Sequence, residues 1–190
     1  MNKKKMLRSA LIGVVAAVGV LGVAIATRPS TFHVERSITM AAPADQAFAR
    51  VNDFHAWSTW SPYEKLDPQL KRTFEGQRSG TGAIYSFSGD KVGAGRMTIE
   101  KSDPSLVVIK LEFFKPFEAV NTATFTFTPT EDGTKVTWAM DGENSFAGKA
   151  ASLVFDMDKL VGGDFERGLV ALKAEAEKAV KATAATNATN

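Results

Sequence analysis

After residue 30 the apolar positions follow two rhythms, a period of two in a series of short stretches and a period of three to four in one long stretch near the C-terminus. The first predicts strands and the second a helix. Thr31 to Met40 alternates with Phe32, Val34 and Ile38 apolar. Ala42 to Asp53 reads as a short helix, with Pro43 at a first helical position and Phe48 and Val51 on its apolar face. An aromatic-rich loop, Phe54 to Pro62, separates it from a run of strands. These are Leu70 to Glu75, Gly82 to Ser88, Arg96 to Lys101, Ser105 to Phe113, Thr122 to Thr128 and Lys135 to Gly142. Gly89 to Gly95, Ser102-Asp103-Pro104 and Glu131-Asp132-Gly133 supply turns between them. In Thr122 to Thr128 the threonines face one side and the phenylalanines the other.

From Gly148 to about Lys181, the residues Ala150, Leu153, Val154, Met157, Leu160, Val161, Phe165, Leu169 and Leu172 recur at helical spacing. Gly162-Gly163 predicts a kink or a break in this helix. Residues 182–190, built from Ala, Thr and Asn, read as a frayed or disordered tail. Consecutive strands joined by short turns predict an antiparallel meander. The fold class is therefore α+β, one curved sheet from residue 31 to 181 whose apolar face is covered by the long terminal helix. A straight helix on a strongly curved sheet diverges from it and leaves room for a cavity.

The first 28 residues form a separate unit. Lys3, Lys4 and Lys5 precede an uncharged run from about Ala10 to Ala26 that addresses the chain to a membrane. Its length suits either a short membrane helix or a signal segment, and Ala24-Ile25-Ala26 has the small-x-small pattern of a cleavage site. The lysines keep the N-terminus cytoplasmic, so the domain is expected on the outer side of the plasma membrane, tethered by residues 10–26 or released after Ala26. Setting aside Lys3, Lys4, Lys5 and Arg8 turns the formal charge of +2 into −2 for the remainder, which removes the electrostatic ground for nucleic-acid binding. The chain has no cysteine, and so no disulfide, thiolate nucleophile or thiolate metal site.

Several motifs resemble one superfamily. Phe32-His33-Val34-Glu35-Arg36-Ser37-Ile38 followed by Ala42-Pro43-Ala44-Asp45-Gln46-Ala47-Phe48 is similar to the opening strand and helix of START-like (Bet v 1-like, polyketide cyclase/dehydrase-related) proteins. Trp57-Ser58-Thr59-Trp60-Ser61-Pro62 and Gly163 to Lys173 resemble a membrane-anchored bacterial branch. The resemblance implies the helix-grip fold and a cavity for a small apolar molecule or lipid. It implies no single activity, because the fold hosts carriers, cyclases and hydrolases alike.

Candidate pocket residues follow from alternation and helical spacing: Tyr85, Phe87, Met97, Leu111, Phe113, Phe125, Phe127 and Trp138 on strands, and Met157 and Phe165 on the helix. Trp57 and Trp60 read either as an aromatic lid over the mouth or as a plug in the core. His33 and the pair Asp53 and His55 are the acid-base candidates, and surface hydrogen bonding accounts for them without catalysis. Asp156, Asp158, Asp164 and Glu166 read as solvated helix faces, since neighbours two apart on a helix do not converge on a metal. No catalytic residue, metal or cofactor is assigned. The reading is a tethered binding module. The alternatives are a cyclase- or dehydratase-type enzyme, which needs Arg96, Glu112 or Glu118 turned inward, and a cavity-free interaction domain.

Overall fold

The alternation is realised as seven strands in a computed structural model that describes residues 3–67, 69–154 and 156–189. The side chains of residues 3–10, 147, 157, 184 and 186–189 lie outside that description, and with them the predicted contribution of Met157. A helix α1 (Lys3–Ala26) leads into β1 (Thr31–Met40) and α2 (Ala44–Asn52). The aromatic loop is a chain of tight helical turns, Phe54–Ala56, α3 (Trp57–Trp60) and Pro62–Lys65. The Asp53 side chain starts it by accepting from the His55 backbone N–H. Then come β2 (Lys71–Gly76), β3 (Ala83–Gly89), β4 (Gly93–Asp103), β5 (Leu106–Lys115), β6 (Ala119–Thr130), β7 (Gly133–Glu143), α4 (Phe146–Ala151) and α5 (Met157–Thr189).

The strands form one antiparallel sheet in the order β1-β7-β6-β5-β4-β3-β2. Register shifts between Ala94 and Gly95 and between Ile99 and Lys101 interrupt the β4–β5 ladder. Such irregularities bend and twist a sheet, and here they curl it around the terminal helix in the helix-grip manner. Helix α5 runs parallel to β1. Its first turns meet Arg36, the Lys173 Nζ donates to the Thr39 carbonyl at 3.0 Å, and Glu177 accepts from the Ala41 N–H at 2.8 Å. Its main packing partners are β1, α2 and α3, with a smaller contact on β7.

Two expectations are corrected. The predicted terminal helix is divided into α4, which ends at Ala151, and α5, which begins at Met157 and continues through Gly162-Gly163; Asp156 starts α5 by accepting from the Lys159 and Leu160 N–H groups. Gly162 stays in the helix, where its missing side chain makes room for the Arg36 guanidinium. The expected irregular tail is helical as far as Thr189, in keeping with the high helix propensity of its alanines.

Helix α1 exposes Val14, Val15, Val18, Val20 and Val23. Among the described side chains of α1, Ile25 alone of the apolar residues is buried, where the helix end meets α4. Among the described residues, which in α1 begin with Leu11 for side chains, no helix is long and apolar enough to cross a membrane.

Candidate functional site: the open end of the concave face

Alternation along β1 sends Phe32, Val34, Arg36, Ile38 and Met40 to one face, and the register extends that face across the sheet. Trp138 lies opposite Arg36 and Phe125, Met140 opposite Val34 and Ala123, and Gly142 opposite Phe32 and Asn121. Farther along are Ile109, Leu111 and Phe113 of β5, Met97 and Gly95 of β4, and Tyr85 and Phe87 of β3. This concave face has two halves with different packing.

The deep half is filled by aromatic rings. Trp138 is sandwiched between Phe165 of α5, with ring centroids 4.0 Å apart and planes 9° apart, and Phe125 at 4.8 Å. Trp57 and Trp60 lie 4.8 Å apart beside them. Their indole N–H groups donate to the carbonyls of Val51 at 2.9 Å and Arg50 at 3.2 Å. Both tryptophans are buried, Trp60 almost wholly, so they plug the core and are not a lid. Phe127 belongs to the same cluster, edge-on to Phe48, and Met97 and Tyr85 continue it towards β3. The Tyr85 hydroxyl donates to Glu64 at 2.5 Å, and Arg72 Nε donates to the other oxygen of that carboxylate at 2.6 Å. Burial, reinforced by Glu64, pushes the Tyr85 phenol well above its ordinary range.

The other half is open. Phe32, Phe87 and Leu111 are only partly buried against the core, and Phe113 meets Phe87 edge-on at 6.2 Å. Two glycines shape its floor. A Cβ on Gly95 would overlap the Phe87 ring, and one on Gly142 would overlap the Phe32 ring and the Asn121 side chain, so these rings lie flat against the sheet. On the convex side of the same rim lies a depression of about 1100 Å³, lined among others by Thr31, His33, Val120, Thr122, Asp141 and Glu143, with Phe32 and Gly142 at its border. On the concave side Asn121, although buried, leaves its carbonyl oxygen without a hydrogen-bond partner, and its amide nitrogen reaches only the Met140 sulfur at 4.0 Å. The Trp138 indole N–H is the second such buried atom among the described residues. Unpaired buried polar atoms are uncommon, and each leaves a desolvation cost of about 1–3 kcal/mol unmet.

The predicted pocket residues therefore divide. Trp57, Trp60, Tyr85, Met97, Phe125, Phe127, Trp138 and Phe165 are gathered into the packed half. Phe87, Leu111 and Phe113 line the open half. Reasoning on the sequence missed Asn121, Phe32 and Arg36. Arg36 reaches across the helix to Asp158 at 2.9 Å and Glu166 at 2.8 Å, so those two acids are partners of a strand residue and not simply solvated. Arg36 holds the Asp158 carboxyl below its usual range.

The remaining polar candidates lie elsewhere. Arg96 and Glu112 pair at 2.8 Å on the convex face, where Lys110 and Arg96 hold the Glu112 carboxyl below its usual range, and Glu118 is exposed in the β5–β6 turn. His33 meets Asp141 at 2.7 Å, also on the convex side. His55 bonds Asp53 at 2.7 Å and stacks on Phe74 at 4.1 Å, beside a depression of about 240 Å³ at the β2 edge. Among the described residues, no three His, Cys, Asp or Glu side chains are grouped to hold a metal ion.

Residues 31–177 match the family described as polyketide cyclase/dehydrase and lipid transport. Among solved structures, the aromatase/cyclase Zhui from Streptomyces sp. R1128 is similar with a TM-score of 0.57 at 18% identity, over 79% of this chain and 96% of that one. The di-domain ARO/CYC protein StfQ of the steffimycin biosynthetic pathway gives 0.59 at 13% identity, over 80% of this chain and 52% of that one. Protein SA2116 of unknown function from Staphylococcus aureus gives 0.59 at 11%, over 80% and 96%. At such identities these likenesses concern the fold. No curated protein matches the chain by sequence.

Proposed function

Because the chain belongs to the polyketide cyclase/dehydrase and lipid-transport family, we propose that it is a tethered binding module that holds one small hydrophobic molecule at the open end of its concave face. The observation that carries this reading is the half-buried strip of Phe32, Phe87, Leu111 and Phe113, apolar side chains on the face that α5 covers elsewhere. Burying about 200 Å² of ligand surface there contributes about 5 kcal/mol at 25 cal/mol per Å², before the costs of association are subtracted. Asn121 offers such a ligand one hydrogen-bond acceptor.

The tether is α1. Its exposed valines and leucines are a surface that water does not favour, and the lysines that precede them keep the N-terminus on the cytoplasmic side. The domain then works at the outer face of the plasma membrane, anchored there or freed by cleavage near Ala26.

A cyclase-type enzyme is the second reading, prompted by the aromatase/cyclase neighbours. It needs a polar pair aimed at the ligand, and Arg96 and Glu112 point to the opposite side of the sheet. The binding reading requires no such pair.

Native mass spectrometry of the full chain, purified from its host and released from a membrane mimetic, tests the proposal. One small molecule bound per chain is expected, lost at least tenfold in Phe113→Ser with little change in thermal midpoint. A chain that arrives empty and binds no apolar fluorescent probe overturns it.

A further inference from the structure

All the features of the open end lie at the same end of the sheet as the junction with α1. Thr31 opens β1 opposite Glu143, and Phe113, two residues before the end of β5, makes the last pair with β6 at Ala119. The β5–β6 turn and the start of α4 therefore sit where α1 enters. The junction is short and tied down. The Thr27 and Arg28 N–H groups still bond to the helix, at Val23 and Ile25. The Asn144 N–H donates to the Ser30 carbonyl at 2.8 Å, and the Lys149 Nζ donates to the Ser30 hydroxyl at 3.0 Å. Four residues, Thr27 to Ser30, span at most about 14 Å even when fully extended. Ile25 is buried at this junction, so α1 is seated on the domain and does not swing free.

The two ends of the sheet also differ in what they expose. At the α1 end stand Phe114, Phe117 and Val120 around the β5–β6 turn and Phe146 on α4, with Phe117 72% and Phe146 67% exposed. At the far end the turns are polar: Gln77-Arg78-Ser79-Gly80 between β2 and β3, Asp103-Pro104-Ser105 between β4 and β5, and Glu131-Asp132 between β6 and β7. Exposed phenylalanines gathered at one end are what a lipid surface accommodates and water does not.

We infer that this end of the domain rests in the bilayer interface, with Phe114, Phe117 and Phe146 inserted among the lipids, so that the mouth of the concave face opens directly onto the membrane. This rests on the tethered-binding reading and deepens it. The ligand is then a lipophile dissolved in the bilayer, entering at Phe113 and Phe32 without crossing water. Position within the membrane follows from the short junction, because α1 cannot place its apolar run in the hydrocarbon without bringing the phenylalanine rim to the interface.

The absence of cysteine lets single labels report position. Full-length V18C, F117C, F146C and D132C carry a bimane label in phosphatidylcholine nanodiscs, with and without brominated acyl chains. Labels at 18, 117 and 146 are expected to lose about half their emission to brominated lipid near the hydrocarbon boundary, and the label at 132 to lose almost none. Quenching at 18 without quenching at 117 and 146 overturns the inference and leaves the tether standing. No quenching at 18 overturns the tether and the inference together. Equal quenching at all four sites, including 132, also overturns the inference, since the domain would then have no fixed orientation.

Discussion

Gly168 shows how closely single atoms are fitted in the packed half. A Cβ there would stand 2.8 Å from Trp138 Cζ3 and 3.0 Å from Pro62 Cδ, and the Trp138 ring is held on both sides by Phe125 and Phe165. Replacing a helical glycine by alanine ordinarily stabilises by up to about 1 kcal/mol, but overpacking a core costs about 1–3 kcal/mol. Gly168→Ala is therefore expected to lower stability by about 1 kcal/mol in urea denaturation, whereas Gly163→Ala, whose Cβ meets only the Arg167 Nη1 at 3.6 Å, is expected to be neutral or stabilising. Arg36 marks the limit of what single residues disclose. Strict alternation along β1 places it on the same face as Val34 and Ile38, so its inward direction was legible in the sequence. Its partners were not, because Asp158 and Glu166 are more than 120 positions away and only the packing of α5 along β1 brings them near. Asn121 was hidden for another reason: an asparagine at the start of a strand reads as turn chemistry until the register with Gly142 turns it inward.

The strands were largely legible, their ends differing by one to a few residues, since a period of two with threonines and aromatics is a direct signature of a half-buried sheet. The aromatic loop was not. Its helical turns depend on Asp53, Asp67 and buried indole N–H groups finding partners far from the local pattern. Asp67 shows what such ties do for an element. One of its oxygens accepts from the Lys91 N–H at 2.9 Å and the other from the Gln69 N–H at 2.9 Å, so it fastens this loop to the β3–β4 turn. Those bonds, the Lys91 one first, hold its carboxyl below the ordinary aspartate range. A carboxyl lowered on folding contributes stability that is complete above the unfolded value of about 4 and disappears as pH falls through the folded value. Asp67→Ala is thus expected to lower the denaturation midpoint at pH 7, with the gap from the parent narrowing as the pH falls well below 4. A gap that stays constant into strong acid would mean the carboxylate has no such part.

At the scale of the molecule, the chain's two tyrosines are both held within the fold. Burial, with some help from Asp164, pushes the Tyr63 phenol well above its usual range, and burial with Glu64 does the same for Tyr85. A group raised on folding contributes stability that is full below its unfolded value, about 10, and is lost as pH rises through its folded value. In an alkaline titration, tyrosinate absorbance is therefore expected to appear together with the loss of near-UV circular dichroism; independent ionisation of either tyrosine near pH 10 in the folded chain would contradict its burial. The path of the chain has a mechanical consequence as well. Helix α1 joins β1 at one end of the sheet, while α5, running parallel to β1, carries the chain out past Ala41 at the other end. Tension between the two termini is directed along β1, so that the ten backbone pairs from Thr31 to Met40 share it in shear and do not peel apart one after another. The strand that follows α1 is thereby the part of the molecule best arranged to hold under a pull.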